Sequence, residues 1–196
     1  MTWPFLTEIK RKAFHLLILL VIVGYVLLER TFNQKIALVA LVALLVLFLL
    51  AEYFRLELGA TIPIFDQIIR PKERERYYGV IYFLSATIIC LAVFDFRIAL
   101  AALLMTTFGD MTAALMGRKY GKTTIFGKKT LTGTLSELTV NIIVGFIVLI
   151  NFYNVYIIIA MAFVAAFVET LVEELDDNLM IPLFAGLTGQ ILVFFL

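Results

Sequence analysis

Seven runs of the chain carry almost nothing but apolar side chains: Ala13–Leu28, Ile36–Ala51, Tyr77–Phe94, Ile98–Met116, Leu138–Phe152, Val155–Val172 and Leu179–Leu196. A helix needs roughly 20 such residues to cross a bilayer, with about 17 as the lower bound. Several runs are short, so flanking turns or tilt must complete the span. Backbone groups in lipid have to pair internally, and runs of this length close those bonds only as helices. The expected fold is therefore all-α, a polytopic membrane bundle of about seven transmembrane helices, with residues 1–196 forming one domain. Composition agrees: 63% of the 196 residues are hydrophobic and 16% are charged, against about 45–50% and about 25% in soluble domains. A soluble enzyme, a disordered tail and a disulfide-stapled secreted domain are excluded. The single Cys90 allows neither an intramolecular disulfide nor a cysteine metal cluster, and a net charge of +1 points to no nucleic-acid partner. The first run follows Lys10-Arg11-Lys12, but no small-x-small cleavage site comes after it, so it is expected to be a retained anchor.

Lysines and arginines set the orientation. With the N-terminus inside, thirteen of the 16 basic residues fall in inner segments (Lys10–Lys12, Arg55–Arg76 and Arg118–Lys129), and only Arg30, Lys35 and Arg97 fall outside. That asymmetry predicts a cytoplasmic N-terminus and an external C-terminus. The outer connections are then short. The inner ones are long (Glu52–Arg76 and Gly117–Glu137) or strongly acidic (Glu173–Asn178), so the chemistry is expected to face the cytoplasm.

Four polar groupings stand out. Glu8, Arg11, Lys12 and His15 share one face of a helix. A basic collar at the headgroups explains Arg11 and Lys12, but not the sole histidine one turn into an apolar run, and the spacing leaves both readings open. Gly109-Asp110 places a carboxylate inside the fourth run, where it must face the bundle interior. An ion pair locking helices is the plainer reading of Asp110; the basic loop that follows favours function. That loop, Gly117-Arg118-Lys119-Tyr120-Gly121-Lys122 and Gly127-Lys128-Lys129-Thr130-x-x-Gly133-Thr134, combines glycines that allow close backbone approach with lysines that suit phosphate. It is not a Walker A loop, because Gly121 to Gly127 is one residue too long and a second lysine takes the Ser/Thr position. Last, Glu169, Glu173, Glu174, Asp176 and Asp177, followed by Asn178, crowd the inner end of the sixth run. Asp177 or Asn178 as a helix N-cap covers one residue of that cluster but not the whole. Clustered carboxylates opposite basic segments are what Mg²⁺ with a nucleotide requires.

In this order and topology the motifs resemble the CTP-dependent lipid kinase family that includes dolichol kinase, phytol kinase and the CTP-dependent diacylglycerol kinase. The residues that carry the resemblance are Glu8…Arg11-Lys12…His15, Glu52-x-x-Arg55, Gly109-Asp110…Gly117-Arg118…Gly121, Lys128-Lys129-Thr130…Gly133-Thr134 and Glu169…Asp176-Asp177-Asn178 with Ile181-Pro182. The resemblance implies a single membrane-embedded lipid kinase domain that moves the γ-phosphoryl group of CTP to the hydroxyl of a membrane lipid alcohol. On that reading Asp110, Asp176 and Asp177 hold Mg²⁺, and Glu169 or one of the Asp176/Asp177 pair takes the hydroxyl proton. Arg11, Lys12, Lys128 and Lys129 hold phosphates, with Gly117, Arg118, Gly121, Thr130, Gly133, Thr134 and Asn178 completing the nucleotide site and His15 orienting a group. The expected partners are the nucleotide, the lipid alcohol and the bilayer; a homo-oligomer stays open. Two other readings remain: a CTP-dependent lipid-phosphate cytidylyltransferase of the CDP-diacylglycerol or CDP-archaeol synthase kind, and a small transporter with Asp110 and Glu169 on an ion path. Polar residues crowded at the inner end, with no repeat of broken helices, weigh against the transporter.

Overall fold

The computed structural model describes residues 16–59, 77–172 and 175–196. Among these the secondary structure is seven helices and one small hairpin: α1 (Leu17–Thr31), α2 (Gln34–Leu58), α3 (Gly79–Val93), α4 (Phe96–Tyr120), β1 (Thr124–Phe126), β2 (Lys129–Thr130), α5 (Leu131–Leu149), α6 (Val155–Leu171) and α7 (Asp177–Phe195). Each apolar run became a helix. By length and composition α2, α4, α5 and α7 are long and apolar enough to cross a membrane, while α3 and α6 are shorter apolar helices. The chain divides into two compact units, Met1–Ile88 and Ile89–Leu196, with the division falling inside α3.

In the first unit α1 packs on α2. Asn33 caps α2 by accepting from the Ile36 N–H at 2.9 Å, and Gly59, at φ 65°, ends it in the left-handed conformation that glycine adopts without penalty. The helix runs on past Ala51 because its charged turns satisfy themselves. Arg55 donates to both carboxylate oxygens of buried Glu52 three residues earlier, and its guanidinium lies 4.1 Å from the centre of the Tyr78 ring.

The second unit is built around α4. It packs most extensively against α5, then α7 and α6, and α6 also contacts α5 and α7. Ala101, Ala102, Ala162, Ala165 and Ala185 let the backbones approach closely, and Ile98, Met105, Leu149, Ile158, Met161 and Ile181 fill the space between. Large apolar side chains also cover the outside of this unit, Ile147, Phe163, Phe167 and Leu187 among them, as a lipid-facing surface requires. Thr106 and Thr107 donate to the carbonyls of Ala102 and Leu103, so these buried hydroxyls are satisfied within their own helix.

Two boundaries differ from the sequence expectation. α5 starts at Leu131 rather than Leu138, because Thr130 caps it by accepting from the Gly133 N–H at 3.2 Å and the polar turn around Ser136 and Glu137 is helical. The expected loop from Gly117 to Glu137 is thereby reduced to a short hairpin. It turns at Gly127, φ 50°, and its strands pair antiparallel, Thr124 with Thr130 and Phe126 with Lys129.

Candidate active site

Three carboxylates meet in the second unit. Asp110 comes from the middle of α4, Glu169 from the last turn of α6 and Asp177 from the first residue of α7, and one oxygen of each lies within 4.8 Å of the others. Asp110 and Glu169 are buried. Three like charges so close repel strongly where water is excluded, and among the described residues Lys129 sets a positive charge against them. Lys129 Nζ sits 2.5 Å from Glu169 Oε1, with the lysine side chain 28% exposed and the glutamate 5%. Burial alone would lower the Lys129 pKa. The Glu169 carboxylate against it, with the charges of Asp177 and Asp110, overrides that and holds it above the ordinary lysine value. The α7 N-terminus adds a partial positive charge beside Asp177.

The local sequence explains why these side chains face one another. The hairpin places Lys129 one residue before the α5 cap, so the fold of β2 fixes its backbone. Thr170 donates to the Ala166 carbonyl and therefore accepts from Thr134 at 2.9 Å, which ties the start of α5 to α6 beside Glu169. Oxygen ligands from three helices, carrying more negative charge than the Lys129 ammonium offsets, fit a hard divalent cation.

Other residues singled out from sequence have different surroundings. Asp176 is the N-cap of α7, and its Oδ1 accepts from the Asn178 backbone at 3.0 Å and side chain at 2.8 Å, so it is not one of the three converging carboxylates. Asn178 is buried in that cap. Gly117, Gly121, Thr130 and Gly133 meet where α4 crosses α5. A Cβ on Gly117 would lie 2.8 Å from the Thr130 hydroxyl, and one on Gly133 would lie 2.9 Å from the Ala113 carbonyl. These glycines thus serve helix contact. Arg118 and Lys128 are exposed near this end of the unit. Arg11, Lys12 and His15, like Glu173 and Glu174, lie outside the described residues.

Sequence reasoning missed Glu137 and Asn141. Both are fully buried on α5, in a stripe with Gly133, Gly145 and Leu149 at every fourth position. Asn141 donates weakly to Glu137 Oε1 at 3.5 Å, while Glu137 Oε2 and Asn141 Oδ1 have no hydrogen-bond partner among the described residues. Glu137 lies within the fields of Glu169 and Asp110, which makes it a neighbour of the carboxylate cluster. The fourfold spacing of polar and glycine residues was the available signal; it was hidden because the run was taken to begin one residue later.

No family model matches the chain, and no solved structure matches it. Curated proteins do. Over 131 residues the chain is 30% identical to the CTP-dependent diacylglycerol kinase 1 of Schizosaccharomyces pombe, a match covering 59% of this chain and 60% of that protein. The proteins of the same name from Saccharomyces cerevisiae (28% over 149 residues) and Eremothecium gossypii (30% over 145 residues) each match 69% of this chain, but only 48% and 44% of their own lengths. The chain thus spans roughly half the length of these curated relatives. The sequence comparison thus makes the chain similar, over 59–69% of its length, to proteins of the CTP-dependent diacylglycerol kinase family.

Proposed function

We propose that residues 1–196 act as one membrane-embedded lipid kinase domain, which transfers the γ-phosphoryl group of CTP to the free hydroxyl of diacylglycerol or a similar lipid alcohol. The observation that carries this reading is the convergence of Asp110, Glu169 and Asp177, with Lys129 paired to Glu169, at one end of an apolar bundle. A hydrophobic acceptor can stay in lipid there while its hydroxyl reaches the charged rim. The names of the three relatives supply the nucleotide and the lipid class.

In this reading Asp110, Glu169 and Asp177 would hold Mg²⁺, which would supply charge neutralisation for the triphosphate. Lys128, Lys129 and Arg118 face the remaining phosphate charge, and the resemblance implies a phosphate-binding role for Arg11 and Lys12 as well. The lipid hydroxyl oxygen forms the new bond to the γ-phosphorus, the bridging oxygen leaves on CDP, and a carboxylate of the cluster accepts the hydroxyl proton. Such a transfer depends on positioning and electrostatics more than on covalent help. His15 orients the hydroxyl or a carboxylate. The test is product analysis on purified chain with γ-labelled CTP, Mg²⁺ and diacylglycerol in mixed micelles. Label should pass to the lipid and CDP should be released. Pyrophosphate release with the cytidylyl group on the lipid would make the chain a cytidylyltransferase, and no turnover with any lipid alcohol would end the kinase reading.

The active site is proposed to face the cytoplasm, on the strength of the thirteen basic residues that one threading puts inside. Cysteines introduced at the exposed positions Lys122 and Leu175, in a Cys90→Ala background, should then both resist a membrane-impermeant thiol reagent on intact cells and react once the membrane is permeabilised. Labelling of either from outside would reverse the orientation.

A further inference from the structure

Lys129 is paired with one of the three carboxylates that would hold the proposed cation. Its Nζ is 2.5 Å from Glu169 Oε1, inside the first contact distance of a residue whose oxygen also lies within 4.8 Å of Asp110 and Asp177 oxygens. An ammonium on the nearly buried Glu169 carboxylate repels a divalent cation brought to the same group. The lysine is also the partner that can leave. Glu169 is anchored in the last turn of α6 and nearly fully buried, whereas Lys129 is more than a quarter exposed and has a flexible four-carbon stem. Its backbone stays where the hairpin and the Thr130 cap hold it, so the side chain can move alone.

We propose that Lys129 is a tethered counter-ion that keeps the cation position closed until a nucleoside triphosphate arrives, so that the divalent ion binds as its triphosphate complex and only weakly by itself. The inference rests on the reading of the triad as a cation site. Arriving phosphate oxygens offer Lys129 an alternative anion, and the move from Glu169 to phosphate frees the carboxylate for the metal. Nucleotide and metal then bind with positive coupling, and each must raise the affinity for the other by the same factor. The lysine thus acts twice: it neutralises the empty cluster and grips phosphate in the filled one.

The experiment is a Mn²⁺ titration of the detergent-purified full chain, followed by loss of the free-ion electron paramagnetic resonance signal and requiring no turnover. Without nucleotide, Lys129→Met should bind Mn²⁺ at least ~10-fold more tightly than wild type, since the metal no longer displaces a buried ion-pair partner. Lys129→Arg should stay as weak as wild type. Lys122→Met, which removes the same charge from an exposed position, should also be unchanged, and that excludes a general effect of net charge. A second measurement needs no variant: adding a β,γ-methylene analogue of CTP should tighten Mn²⁺ binding to wild type at least ~10-fold after allowance for ion held by free analogue. Equal Mn²⁺ affinity in wild type and a folded Lys129→Met protein overturns the tether and leaves the cation site standing. So does an analogue that leaves wild-type affinity unchanged while Mn²⁺ still binds. Absence of Mn²⁺ binding in every protein, with and without the analogue, overturns the tether together with the cation reading.

Discussion

Replacing Asp110 by asparagine is expected to lower turnover at least ~100-fold, the scale of losing one preorganised electrostatic group in a water-poor site, while the helices stay folded. Asparagine matches aspartate in shape, exchanging one accepting oxygen for a donating amide, so the α4 packing is preserved. It removes one of three crowded negative charges, and that relieves repulsion rather than creating it. The Lys129–Glu169 pair remains in place. Glu169→Gln should be equally inactive but less stable in detergent, because it also leaves Lys129 without its carboxylate partner. Glu57→Gln, an exposed acid at the end of α2, should change neither property. Circular dichroism, a melting curve and a labelled-CTP assay on the three variants separate the cases. Full activity in a folded Asp110→Asn protein would reduce that residue to an interior ion-pairing group and remove the cation site with it.

How far the molecule was legible in its sequence depends on which interaction decided each feature. Apolar periodicity and lipid length decide helices, and all seven runs gave helices. Boundaries depend on capping and on polar turns that pair with themselves. That is why α2 runs on through Glu52 and Arg55, and why α5 takes in Gly133 and Glu137. The hairpin, with one glycine turn and two very short strands, has too little pattern to read as a strand pair. Asp110, Glu169 and Asp177 each drew attention from sequence as carboxylates in or beside apolar runs. Their meeting is a tertiary fact, set by the α4, α5, α6 and α7 contacts, and no spacing along the chain expresses it. Asp176 and Asp177 show the limit well: both accept from the Asn178 N–H at the start of α7, yet of the two it is Asp177 that converges with Asp110 and Glu169. Packing of Gly117 and Gly133, whose missing side chains make room for one helix against another, is a second role that the loop pattern does not express.

The same argument from missing side chains gives the second large effect. At Gly109, next to Asp110, a Cβ would stand 2.5 Å from Asn141 Oδ1 and 3.0 Å from Glu137 Cγ. Both neighbours are fully buried, and Asn141 already makes only a stretched 3.5 Å bond to Glu137, so neither has somewhere to retreat. Gly109→Ala must therefore push α4 and α5 apart at their most extensive contact. Overpacking of this kind costs about 1–3 kcal/mol, and the melting temperature in detergent should fall accordingly. Activity should fall further than stability does, because the displaced turn carries Asp110, and a shift near 1 Å in a reacting constellation is worth roughly 100-fold. The clash also predicts its own remedy. Asn141→Ala alone opens a void and strips Glu137 of its donor, so it too should destabilise. In Gly109→Ala it removes the very atom the new Cβ meets. The double variant should accordingly be more stable than the two single losses add up to, by about 0.5–3 kcal/mol, with part of the turnover restored. Strictly additive losses would mean that the added methyl meets something other than Asn141, and that the contact between Gly109 and Asn141 does not hold Asp110 in place.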